Sequence, residues 1–400
     1  MKHTFIQLSL IISLFILGGC AIICEKEEPN PDPIGINKNG FKVVISQAPE
    51  TPDASLACRV ILIGDAGKVD ANDQIMESLG NWGDVEPDKT CVVFLGDNVY
   101  PIGFANRYHD EEDTFRGRLD ILKHQIDSTH AKKIFVPGNH DWAKDCFGGK
   151  EAVLNLQKAI DMHSHHNAEI QPRDARPGPV RIPLLKPQGP EQKGVSLIIL
   201  DTQWWLNWLP YWRDAKLEDT KESVIEELKK ALDESSDDHV ILVSHHPLKT
   251  SGKHGGYHAA CYAPFLRAIG KSQDTKARRY KDMVSQLTTT MSETHPLIYA
   301  GGHDHSLQVM TAEAVDYELV SGAGSIEKIT AVDARDDTVY ARSAAGFMVV
   351  DFFRENGKSS IKLSVVEPEQ APYDKSCKKE HVPMPRRVQE KLITDKPPTI

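Results

Sequence analysis

Short apolar runs that stop at ligand-type residues dominate this chain. RVILIG (59–64), CVVFLG (91–96), KIFVPG (133–138), VSLIILD (195–201), HVILVS (239–244) and PLIYAG (296–301) are rich in Val, Ile and Leu and show no polar alternation. Strands buried on both faces of a sheet have this character. Helix-period stretches lie between several of them, the clearest being LEDTKESVIEELKKALDES (217–235), with apolar residues at three- and four-residue steps. YELVSGAG (317–324), AAGFMVVDFF (344–353) and KLSVVE (362–367) have strand character with fewer helices between them. The pattern predicts an α/β fold of two packed β-sheets flanked by helices.

The run ends are GDAG (64–67), GDNVY (96–100), GNHD (138–141), SHHP (244–247) and GHDH (302–305). They offer Asp65, Asp97, Tyr100, Asn139, His245 and/or His246, His303 and His305. Taken singly, an Asp-Gly or Asn-Gly pair is turn chemistry. Taken together, the clusters put oxygen and nitrogen donors at the carboxyl ends of strands, where sites form in open α/β sheets. The set is too large for one tetrahedral zinc and too rich in nitrogen for calcium or magnesium alone. Imidazole with carboxylate suits iron, zinc and manganese. A pair of ions needs a bridging carboxylate, and one Asp among the clusters can bridge. Neither GxxxxGK[ST] nor GxSxG occurs, so a P-loop and a serine nucleophile elbow are not indicated.

The 400 residues are 40% hydrophobic and 26% charged, ordinary values for a globular protein. A net charge of −10 argues against nucleic-acid binding and against a polybasic membrane surface. Residues 1–19 read as a signal peptide, with FIQLSLIISLFIL (5–17) as its apolar core. LGGC (17–20) resembles the lipobox of bacterial lipoproteins, which implies acylation of Cys20 and a lipid-anchored place in the bacterial cell envelope. Residues 20–54 are expected to be the lipidated cysteine and a flexible tether, 55–367 the catalytic domain, and 368–400 a polar tail. Cys58 and Cys91, at strand starts, are expected to be small core residues.

The motif set resembles that of the calcineurin-like metallophosphoesterases, and within them the tartrate-resistant, mammalian-type purple acid phosphatases, over roughly residues 56–330. D-x-G (Asp65 to Gly67), GDxxY (Gly96 to Tyr100), GNH plus an acid (Gly138 to Asp141), H-x-P (His245 to Pro247) and GHxH (Gly302 to His305) carry it, with SGAG (321–324) and LDT (200–202) in support. The resemblance implies a four-layer sandwich. It implies Fe(III) on Asp65, Tyr100 and His305, and a divalent Fe, Zn or Mn on Asn139, His245 and His303, with Asp97 bridging. It implies that tyrosinate replaces the histidine that most relatives carry in D-x-H. His140 matches a phosphate-contacting position, and His254 a histidine acting on the leaving group.

The activity implied is acid phosphatase action on phosphomonoesters by direct attack of metal-bound hydroxide. Hydrolysis of phosphodiesters or nucleotides on the same fold is the alternative, and a non-catalytic metal-binding lipoprotein a remote one. Two further features stay open between function and packing. His163, His165 and His166 could bind another metal or form a polar face, and Trp204, Trp205, Trp208 and Trp212 could wall the site or fill the core.

Overall fold

The computed structural model describes residues 44–46, 55–68, 74–105, 112–145, 148–165, 167–189, 192–207, 219–255, 273–368 and 391–393. The expected signal peptide, Cys20, His166, Trp208 and Trp212 lie outside the described residues.

Two mixed β-sheets pack face to face. The first contains β1 (Val44–Ser46), β2 (Leu56–Ile63), β3 (Thr90–Phe94), β4 (Lys132–Phe135), β5 (Ala168–Ile170), β13 (Phe347–Glu355) and β14 (Lys358–Val366), in the order β1-β14-β13-β2-β3-β4-β5. β15 (Lys391–Ile393) also pairs with β14. The second runs β12-β10-β11-β9-β8-β7-β6, built from β6 (Val180–Leu185), β7 (Gly194–Ile199), β8 (Asp238–Val243), β9 (Ile298–Gly301), β10 (Leu307–Thr311), β11 (Tyr317–Ser321) and β12 (Thr338–Arg342). Strands β2 to β5 are parallel neighbours, as are β7, β8, β9 and β11.

The unbroken apolar runs follow from burial on both faces. In β2, Val60 and Leu62 join an apolar layer between the sheets, where Val93, Ile134, Leu197, Ile241 and Ile298 meet. Ile61 and Ile63, on the opposite face, pack with Phe94 and Phe135 under helices Gln74–Gly83, Glu112–Ile126 and Gly149–His163. On the outer face of the second sheet, Ile198, Leu242 and Tyr299 share that packing with Val224 and Leu228 of helix Lys221–Asp233 and Tyr280 and Leu287 of helix Arg278–Met291. Each fully buried Ile or Leu contributes about 1.5–3 kcal/mol, so the strand cores anchor the loops that leave them. Helix Lys221–Asp233 starts where a capping box is readable, with Thr220 Oγ1 accepting from Ser223 N at 3.1 Å and Ser223 Oγ from Thr220 N at 2.9 Å.

β1 falls in the segment expected as tether and β15 in the expected tail, and both add to one edge of β14. Cys58 and Cys91 are buried free thiols, their acidity pushed down by burial to a pKa of about 12.

Candidate metal centre

The parallel strands β2, β3 and β4 end in step. Leu95 N donates to Ile63 O at 2.7 Å and Val136 N to Phe94 O at 2.8 Å, so the loops bearing Asp65, Asp97 and Asn139 leave side by side. In the second sheet Ser244 N donates to Ala300 O at 3.0 Å, which aligns the loops bearing His245 and His303. The two sheets meet at this edge: Gly64 N donates to Ser321 O at 2.7 Å, and a Cβ on Gly64 would lie 2.9 Å from Gly302 Cα. Only glycine permits that approach. Asp65, Asp97 and His303 adopt left-handed φ values of 59°, 55° and 67°. Such strained backbone in non-glycine residues concentrates at functional sites, at about 1–3 kcal/mol each.

Two donor sets result. In the first, Tyr100 Oη donates to Asp65 Oδ1 at 2.9 Å and lies 3.3 Å from His305 Nε2, which is 3.2 Å from the same Asp65 oxygen. In the second, His245 Nε2 is 3.0 Å from Asn139 Oδ1 and His303 Nδ1 is 3.2 Å from it, with the two imidazole nitrogens 3.3 Å apart. Asp97 lies between the sets. Its Oδ1 is 3.4 Å from His245 Nε2, and Asp65, Asp97 and His245 offer ligand atoms all within 4.8 Å of one another. All seven residues singled out in the sequence therefore meet in one place.

The imidazoles are oriented from behind. His245 Nδ1 donates to Leu95 O at 2.8 Å, His303 Nε2 to Gln273 O at 3.0 Å and His305 Nδ1 to Lys328 O at 2.8 Å. Each ring thus spends one nitrogen on a backbone carbonyl and turns the other, with its lone pair, toward the donor set. Metal-binding histidines are held in this way. Among the described residues, oxygen and nitrogen lone pairs converge without a buried Lys or Arg between them, a donor set that fits two cations.

The electrostatics agree. Burial alone would raise the Asp97 carboxyl, but His140, His245 and the His140 amide outweigh it and hold it at about 2. Burial lowers the basicity of His245, and Asp97 and Asp65 more than restore it; at His305, Asp65 does the same. The Tyr100 phenol is driven well above its ordinary value by burial and then by Asp65 and Asp97. Only a cation close to its oxygen would ionise it. Protons on His245 and His305 and a cation compete for the same lone pairs, so metal binding would release protons.

His246 also offers a nitrogen within 4.8 Å of ligand atoms of His245 and His303, but its ring is held differently. Its Nδ1 is 2.9 Å from Thr202 Oγ1, and its Nε2 is buried without a hydrogen bond. Thr202 begins the short helix Thr202–Leu206, capped by Asp201, whose oxygens accept from Trp204 N at 3.0 Å and Trp142 Nε1 at 2.8 Å. The LDT motif therefore buttresses the histidine pair. Gly67 of D-x-G has no room for a side chain, since a Cβ would lie 2.5 Å from Asp97 O and 2.7 Å from Val99 N.

His140 and His254 flank the donors and are partly exposed. His140 N donates to Asp97 Oδ1 at 2.8 Å, its Nδ1 to Pro101 O at 2.6 Å, and its ring packs edge-on to Tyr100 with centroids 4.3 Å apart. The His254 ring lies 4.0 Å from that of His303. Three residues not singled out in the sequence complete the surroundings. Asp141 accepts from Gly138 N at 2.8 Å and Asn98 Nδ2 at 2.9 Å, which ties GNHD to GDNVY. Asp304 accepts from Thr250 Oγ1 at 2.8 Å and His254 N at 3.0 Å. Lys328 holds its ammonium 4.6 Å from the centre of the Tyr100 ring. The acid in GNHD and the middle residue of GHDH were in view as motif letters, but nothing in the letters says what they bind.

Trp204 and Trp205, each 4% exposed, belong to the apolar core. His163 ends helix Gly149–His163, and neither it nor His165 joins a candidate metal group among the described residues.

In the order of its site motifs the chain resembles the calcineurin-like metallophosphoesterases. No family model matches the sequence, and no curated protein matches it significantly. Among solved structures, it is similar to GAP50, the anchor in the inner membrane complex of Plasmodium, with 18% identity, 76% of this chain and 84% of that one covered, and a TM-score of 0.49. It is similar to the purple acid phosphatase PPD1 of yellow lupin, with 16% identity, 80% and 53% covered, and a TM-score of 0.47. For a dimetal phosphatase from Danio rerio the values are 13% identity, 78% and 96% covered, and a TM-score of 0.43.

Proposed function

We propose that this chain is a binuclear-metal phosphatase of the purple acid phosphatase kind, acting on phosphomonoesters. The observation that carries the reading is the position of Asp97, within ligand distance of two separate donor sets and held ionised there. Asp65, Tyr100 and His305 would hold Fe(III), for which a phenolate is a hard anionic donor, and Asn139, His245 and His303 a divalent Fe, Zn or Mn. Asp97 would be common to both. When bound, such a pair supplies Lewis acidity for the phosphoryl oxygens and ionises water at neutral or acid pH.

The chain's own groups act around that pair. His140, fixed by Asp97 and Pro101 O, presents its Nε2 to a phosphoryl oxygen. His254, its ring 4.0 Å from that of His303, would deliver a proton to the leaving oxygen. The buried donors hold their geometry before substrate arrives, so little reorganisation accompanies the chemistry. Lipid on Cys20 would place the activity in the bacterial cell envelope; labelled fatty acid incorporation, absent in Cys20→Ser, is the outcome this part expects.

The test is the visible spectrum of the metal-loaded protein beside its Tyr100→Phe variant. A broad phenolate-to-iron band, lost in the variant, is expected. A colourless wild type with both positions filled would contradict the ferric assignment. Turnover of p-nitrophenyl phosphate should exceed that of bis(p-nitrophenyl) phosphate at least about tenfold, a difference of about 1.4 kcal/mol in barrier. Equal rates, or the reverse order, would contradict monoester specificity.

A further inference from the structure

The groups around the donors are unequally covered. Asp65, Asp97, Tyr100, His245 and His303 are buried, whereas Asn139, His140, His254, His305 and Lys328 are partly exposed, so a ligand meets these five first. Lys328 is the one of these that carries a permanent charge. It closes the turn Ile326–Lys328, which is clamped to the site because Ser325 Oγ donates to Asp65 O at 2.6 Å and accepts from Lys68 N at 3.2 Å. The Lys328 carbonyl receives His305 Nδ1 at 2.8 Å, so backbone and side chain are both fixed at the centre. The neighbouring carboxylate, Glu327, is taken by Lys68. Among the described residues no carboxylate pairs with Lys328, and its ammonium rests on the face of Tyr100. That contact leaves its N–H donors available to a ligand.

We propose that Lys328 is a specificity-determining residue: it forms a second anion position beside the phosphoryl site and selects monoesters whose leaving group carries a carboxylate or a further phosphoryl group. The inference rests on the phosphatase reading above and narrows its substrate class. An ester with a neutral leaving group leaves this ammonium facing only water and the aromatic ring. An acidic leaving group of suitable length gains a charge-assisted hydrogen bond.

Calorimetric binding of two non-hydrolysable ligands to metal-loaded protein tests this: 3-phosphonopropionate, and propylphosphonate, which lacks the carboxylate. Wild type is expected to bind the first about tenfold more tightly, the size of one charge-assisted hydrogen bond. Lys328→Met should abolish the preference, leaving propylphosphonate affinity and metal content unchanged, and Lys328→Arg should keep most of it. No preference in wild type, a preference that survives in Lys328→Met, or equal weakening of both ligands would overturn the proposal; the last would make Lys328 a support for Tyr100. The readout needs no turnover, so a protein that bound these ligands but hydrolysed no ester would sink the phosphatase reading separately.

Discussion

Removing the Asp304 carboxylate should disable His254 from a distance. Asp304 is fully buried, and its oxygens accept from Thr250 Oγ1 at 2.8 Å and His254 N at 3.0 Å, with a longer 3.4 Å approach from Thr330 Oγ1. Hydrogen bonds to a charged acceptor are worth about 1.5–3 kcal/mol each. In Asp304→Ala the amide of partly exposed His254 regains water, whereas the Thr250 hydroxyl, 2% exposed, does not. A net loss of about 3 kcal/mol follows, readable by urea unfolding. The loop carrying His254 would also be released. A positioned acid contributes about 10²–10⁴ to rate, so kcat for an alkyl phosphate should fall at least about a hundredfold. The fall should be smaller for p-nitrophenyl phosphate, whose leaving group needs little protonation. In a cycle with His254→Ala, the second substitution should add almost nothing to the first. Additive losses, or equal losses on both substrates, would show that Asp304 does not act through His254, and loss of metal in the single variant would show that it acts on the centre.

Three further outcomes follow from the geometry. His245→Ala should lower metal content by about one ion per chain, because His245 Nε2 faces Asn139 and Asp97, whereas His246→Ala should keep both ions; metal analysis of the two variants decides. Gly67→Ala should destabilise by about 1–3 kcal/mol, the usual range for overpacking, since its Cβ would press on the Asp97 backbone; thermal melting measures it. Glu318 is raised by burial from 4.5 to about 8, and one of its oxygens has no hydrogen bond. The folded state then keeps a proton that the unfolded chain releases, so this stability is present below pH 4.5 and lost as pH rises toward 8. Glu318→Gln should flatten that part of the stability-pH curve relative to wild type.

The strands and the polar residues at their ends were legible because burial on both faces forces unbroken apolar runs, and a run that must end in a tight turn ends visibly. RVILIG and HVILVS coincide with β2 and β8 to within a few residues, and helix Lys221–Asp233 lies inside the stretch its periodicity marked. Less could be read where partners are backbone atoms. The carbonyls of Leu95, Gln273 and Lys328 aim the three imidazoles, and a carbonyl has no letter in a sequence. β1 and β15 are three-residue strands, too short to show a period, and they are recognisable only through their pairing with β14. Trp204 and Trp205 could have lined a site or filled a core; a helix of five residues capped by Asp201 turns both inward.

We propose a two-cation site joined by Asp97. Stepwise addition of metal to the metal-free protein, with activity on p-nitrophenyl phosphate measured at each step, decides whether two cations are needed. Activity should stay near background until about one equivalent is bound and rise to a plateau at about two. Full activity at one equivalent, or an unchanged activity curve in Asp97→Asn, would contradict it.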